Sequence, residues 1–346
     1  MDFVKNPGVQ MLSDTWKDWP HCPQRTSNLY TSLSRIMLSL SQIPQPSIGS
    51  WTIDPNGVLS LSNRPLMLRL HEFENAGIPT NIPRDMTYPM ADLYYLDVLS
   101  YHDNRIRHQP NSINDREDAR AQMANLTAMR AILGDFTNKD LRRGPFLFRL
   151  TDLHQSNIFV DSQWNIECLI DLEWACALPA ETLRPPYWLT GRPVDDLIDS
   201  NLDEFSRAYQ DFVKVFEREE KSLPPLHGQQ SFRTNNMSRG LKVGNFWYFH
   251  ALESPKGLYN LFRDHIQPKY ASTSRESCAT FTEVVSDYWA PDTDQTIQRK
   301  LTDKDMYDSA LRRRFQDSVG ETKESVRAER PVSNPTAGDK TKSTRI

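Results

Sequence analysis

The chain has 346 residues, 25% of them charged and 38% hydrophobic, enough for one large domain or two smaller ones with a sizeable core. A formal net charge of -4 gives no reason to expect nucleic acid or an anionic membrane as a partner. The opening Met1-Asp-Phe-Val-Lys-Asn-Pro-Gly8 lacks the apolar core of a signal peptide, and no apolar run approaches the roughly 20 residues of a membrane span, so the expected location is cytoplasmic.

Leu29, Leu33, Ile36, Leu40 and Ile43 recur at helical spacing, which predicts an amphipathic helix over 27–43 with Ser27 as its cap. Pro44 and Pro46 end it. Ser50–Asp54 and Val58–Ser62 read as short strands joined by Pro55-Asn-Gly57, a hairpin turn. Residues 63–90, with Pro65, Pro79, Pro83 and Pro89, read as an irregular connection. Helices are predicted near 91–108 and 114–133, the second with a buried stripe of Ala119, Met123, Leu126 and Leu133.

Phe146–Leu150 reads as a strand feeding a loop, and Ile158–Val160 with Ile166–Ile170 as the arms of a hairpin turning at 161–165. From Val194 to about Lys221 the period is helical, with Leu197, Leu202, Phe205, Phe212, Val213 and Phe216 inward. More helix is predicted over 238–266 and 280–316. From 317 to 346 the chain turns polar and reads as a disordered tail. Cys22, Cys168, Cys176 and Cys278 lack the short paired spacing of a zinc site and read as reduced, mostly buried thiols.

The segment from Leu150 to Glu173 carries the chemistry. Asp152 is followed five residues later by Asn157 and fourteen residues after that by Asp171, on turns that flank the hairpin. A carboxylate that orients a hydroxyl and takes its proton, with hard oxygen ligands for magnesium, is what phosphoryl transfer asks of a protein. Asp152 suits the first role, and Asn157 with Asp171 the second. His154 is placed to brace the loop backbone, and Glu173 to hold a water or a loop amide behind the metal.

Leu150-Thr-Asp152-Leu-His154-Gln-Ser-Asn157-Ile-Phe-Val-Asp161 with Ile170-Asp171-Leu-Glu173-Trp resembles the catalytic segment of the aminoglycoside phosphotransferase and choline kinase-like family, especially a fungal branch. The family pattern is His-x-Asp-x-x-x-x-Asn, then Ile-Asp-Trp/Phe-Glu. Here the leading His is Leu150 and the aromatic is Leu172. The resemblance implies a protein kinase-like fold, mostly helical α+β, with Asp152 as catalytic base and Asn157 and Asp171 as magnesium and nucleotide ligands. It covers residues 1–316 as a C-terminal lobe, with 1–12 as a remnant of the interlobe hinge.

The resemblance also implies a preceding lobe with a glycine-rich phosphate cover and a lysine. None of the 13 glycines forms GxGxxG or GxxxxGK, so the sequence reads as the C-lobe alone, its N-lobe absent or vestigial. Three readings follow. The first is an ATP- and magnesium-dependent transferase acting on a small-molecule hydroxyl, its activity in doubt without that lobe. The second is a catalytically dead binding or scaffold protein. The third is a metal-dependent phosphoesterase built on Asp152, His154 and Asp171, which ranks last for want of further ligands. The acceptor's walls are expected within 63–110 and 180–260.

Overall fold

The computed structural model describes residues 8–16, 22–254, 257–271 and 274–328. It is mostly helical, with small antiparallel sheets, an α+β arrangement. The strand β1 (Gln10–Met11) runs into a one-turn helix α1 (Leu12–Thr15), and α2 follows over Pro23–Leu40. Helix α2 starts with Pro23 in its first turn after Cys22, so Ser27 lies inside the helix and does not cap it. The hairpin β2 (Ser50–Ile53) and β3 (Leu59–Asn63) turns through Gly57, whose φ of 81° suits glycine. The stretch 63–90, expected to be irregular, contains helix α3 (Leu68–Asn75). Its proline-free core had room for two turns between Pro65 and Pro79.

Helices α4 (Ala91–His108) and α5 (Arg116–Ala131) follow, with the short α6 (Leu133–Phe136). Asp115 caps α5 by accepting from the Asp118 amide at 2.8 Å. Ala119, Met123, Leu126 and Leu133 are buried. Strand β4 (Phe146–Leu150), the hairpin β5 (Ile158–Val160) and β6 (Ile166–Leu169), and β7 (Ala175–Pro179) then build the two sheets that carry the site. β4 pairs antiparallel with β7, from Phe146 against Pro179 to Leu150 against Ala175. β1 pairs with β5, and β5 with β6. Of the segment read as a hinge remnant, residues 1–7 lie outside those described, and Gln10 and Met11 form the outer strand of this second sheet.

The rest is helical: α7 (Asp199–Glu220), α8 (Phe232–Val243), α9 (Asn245–Glu253), α10 (Leu258–Leu261), α11 (Arg275–Ser286) and α12 (Thr293–Ala328). Leu197, Phe205, Phe212 and Phe216 are fully buried, while Leu202 and Val213 pack at the core's edge. The helix expected over 280–316 is two helices, broken around Pro291. Helix α12 continues past residue 317, where the polar tail was expected to begin, and residues 329–346 lie outside those described. All four cysteines are unpaired, but only Cys176 is buried, against the expectation of mostly buried thiols. Among the described residues no helix is long and apolar enough to cross a membrane.

Candidate active site

Two ladders are each extended by a hydrogen bond beyond their last strand residue, and these extensions assemble the site. At the end of β4, the Thr151 amide (2.8 Å) and hydroxyl (3.0 Å) both donate to the Trp174 carbonyl. Asp152 therefore leaves the sheet beside residues 171–174. At the end of the β5–β6 hairpin, the Ile170 amide donates to the Asn157 carbonyl at 3.1 Å, so Asp171 follows directly beside Asn157. The Asn157 side chain closes the arrangement by donating from Nδ2 to the Asp152 carbonyl at 2.9 Å.

That last bond decides what Asn157 can do. It is 5% exposed, and its amide N–H is committed to the loop, which leaves the side-chain carbonyl oxygen as the atom able to meet a cation. Asp171 is exposed and sits at φ 55°, in the left-handed region that Asp and Asn tolerate better than most side chains. Asp152 is partly buried, with Nε2 of His154 at 3.6 Å from its Oδ2. His154 also accepts from the Ser156 amide at Nδ1, 3.3 Å, and so caps the 3₁₀ turn Gln155–Asn157. Glu173 is exposed, and its carbonyl accepts from the Ala175 amide at 3.0 Å.

Leu150, where the resembled family has His, closes the β4–β7 register against Ala175. The loop is braced from elsewhere instead. Nε1 of Trp188, itself buried, donates to the Leu153 carbonyl at 3.0 Å, and Trp188 meets Trp16 edge-on at 5.8 Å while Trp164 stacks on Trp16 at 5.2 Å. Trp164 and Trp188 are thus core residues, and Trp174 packs edge-on against His71. Leu172 is 49% exposed.

Asp152 opens onto a cavity of about 240 Å³. Its walls come from β4 and its loop, from 67–69, from 183–188 and from 250–254. Sequence reasoning did not single out its charged residues: Arg69, Arg149, Arg184, His250 and Glu253. Arg184 donates from Nε to Nε2 of His250 at 2.8 Å and forms a partly buried ion pair with Glu253. Burial, together with the Arg184 and Arg149 charges, holds His250 well below the usual histidine range, so its ring is neutral and able to accept that bond. Arg149 donates to the Thr182 carbonyl (2.7 Å) and hydroxyl (2.6 Å); burial first, then Arg184, pull its pKa down. Tyr187 is raised by burial and by the Asp152 charge, with Arg69 opposing. The one available signal was Arg149 itself, a lone cation inside the apolar run Phe146–Leu150.

Among the described residues no three His, Cys, Asp or Glu side chains converge to hold a metal ion. Asp152, His154 and Asp171 therefore do not form the three-ligand centre that a metal phosphoesterase needs. Magnesium asks less of a protein: one or two oxygen side chains, with water and phosphate completing its octahedron. The amide oxygen of Asn157 and the carboxylate of Asp171 are donors of that hard kind. The chain matches no family model, no curated protein and no solved structure.

Proposed function

We propose that the chain is a phosphotransferase of the protein kinase-like fold, carrying phosphate from magnesium-bound ATP to a hydroxyl of a small molecule. The observation behind this reading is the joining of the Asp152 and Asp171 loops through the backbone and side chain of Asn157, with Asp152 on the wall of a cavity. Asn157 and Asp171 hold magnesium, which supplies charge neutralisation at the nucleotide phosphates. The Asp152 carboxylate orients the acceptor hydroxyl and takes its proton. The acceptor oxygen forms the new bond to the γ-phosphorus as the bond to the bridging β,γ-oxygen breaks. ADP leaves, and the proton passes from Asp152 to solvent. Thr151, Asn157 and Trp188 keep the loop rigid during this exchange, which matters because position supplies much of such a rate.

Magnesium-ADP is expected to raise the melting temperature of the full chain, and Asp171→Ala to abolish that rise. A second reading, a binding or scaffold protein without nucleotide chemistry, is favoured by Leu150 and by the solvent-exposed Leu172. No thermal shift with the intact protein decides for it.

A further inference from the structure

We propose that the cavity beside Asp152 takes an anionic acceptor, a small polyol bearing a carboxylate or a phosphate ester, with its charged group on Arg149 and Arg69 and a hydroxyl toward Asp152. The charges on the walls argue for it. Three guanidinium groups, Arg69, Arg149 and Arg184, face two carboxylates, Asp152 and Glu253, and the ring of His250 adds no charge.

Glu253 is committed to Arg184. Arg149 has no carboxylate within ion-pair distance among the described residues; it donates hydrogen bonds to the two oxygens of Thr182. Arg69 pairs with Glu72 at 2.6 Å, but both side chains are about half exposed, and such pairs contribute only ~0–1 kcal/mol and break readily. The cavity therefore holds one cation without an ion-pair partner, felt by Glu253 only beyond contact distance, and a second that can be recruited. A guanidinium matches carboxylate or phosphate oxygens in a fork, and in a partly dry pocket that pairing is stronger than in water. Polycationic acceptors meet the opposite condition. The volume of about 240 Å³ admits only a small molecule.

The role of the bound molecule as acceptor rests on the phosphotransfer reading; its binding does not. The full chain is titrated, without nucleotide, with gluconate, glycerol 3-phosphate, xylitol and choline, followed by calorimetry and thermal shift. One or both anions are expected to bind, the stronger telling carboxylate from phosphate, while xylitol and choline do not. Arg149→Gln is expected to weaken the anion at least about tenfold, as for a lost charge-assisted hydrogen bond. Arg149→Lys restores part of the affinity, and Arg69→Gln, at an exposed position, weakens it about threefold. Binding of neither anion, equal binding of choline, or undiminished affinity in both Arg149→Gln and Arg69→Gln overturns the proposal. Absent anion binding with an intact magnesium-ADP shift removes this inference alone. Anion binding without any magnesium-ADP shift removes the phosphotransfer reading alone.

Discussion

Arg233 and Arg149 show two ways of keeping a guanidinium away from water. Arg233, at the start of α8, is 2% exposed and meets the fully buried Glu220 of α7 at 3.2 Å. That carboxylate also accepts from the Thr234 amide (2.8 Å) and hydroxyl (2.6 Å), and Arg233 donates to the Ser41 carbonyl at 2.7 Å. The charge is answered within the fold, as a buried ion must be, and both terminal nitrogens of Arg233 find oxygens, although its Nε has none. Arg149 stands on a cavity wall, with neutral oxygens as its near partners and another arginine beside it. A charge answered inside the protein ties α7, α8 and the end of α2 together, whereas one left open to a cavity is available to something that enters.

Asp152→Asn addresses the cavity side of this contrast and is expected to have the largest effect. Phosphotransfer should fall by about 10²–10⁴, the usual range for a lost general base, with little change in melting temperature. A matching loss of stability would assign Asp152 to the fold instead.

Next, Arg233→Met should destabilise by roughly 3–5 kcal/mol in urea unfolding, because Glu220 is left buried and uncompensated. Arg149→Met strands no carboxylate, and the Thr182 carbonyl keeps its bond from Arg184, so the loss should be smaller, roughly 1–2 kcal/mol. Equal losses for the two would erase the distinction drawn between them.

Glu181 is an intermediate case, a buried carboxyl with no cation. Its oxygens accept from the Tyr95 hydroxyl at 2.9 Å and the Asn138 amide at 2.5 Å, yet burial pushes it up to about 7 from an ordinary 4.5. Between those values the folded chain keeps a proton that the unfolded chain releases. Stability from this group is full below pH 4.5 and is lost as pH rises through 7, on the order of 3 kcal/mol. Glu181→Gln should flatten that slope in urea midpoints compared at pH 5 and pH 8. An unchanged slope would mean that other groups set it.

The motif strand and hairpin were legible because short apolar runs of strand length, bounded by turn residues, mark Phe146–Leu150 and Ile158–Leu169 clearly. Strand β7 was not, since Ala175-Cys-Ala-Leu-Pro179 is almost wholly buried, shows no alternation and ends in proline. Its absence from the sequence reading hid the main brace of the site, the Trp174 carbonyl that anchors Thr151. Helix α3 was masked by the proline density around it. The candidate residues Asp152, Asn157 and Asp171 could be named in order, but the arginine-lined cavity could not. Residues 69, 149, 184 and 253 come from four separate segments of the chain, and only tertiary packing makes them neighbours.

The backbone of Asp171 offers an experimental handle. Because this residue occupies a left-handed conformation, glycine can take its place with the loop's path intact, whereas alanine perturbs charge and geometry at once. A glycine variant is thus the cleaner instrument for removing the acid while sparing the scaffold.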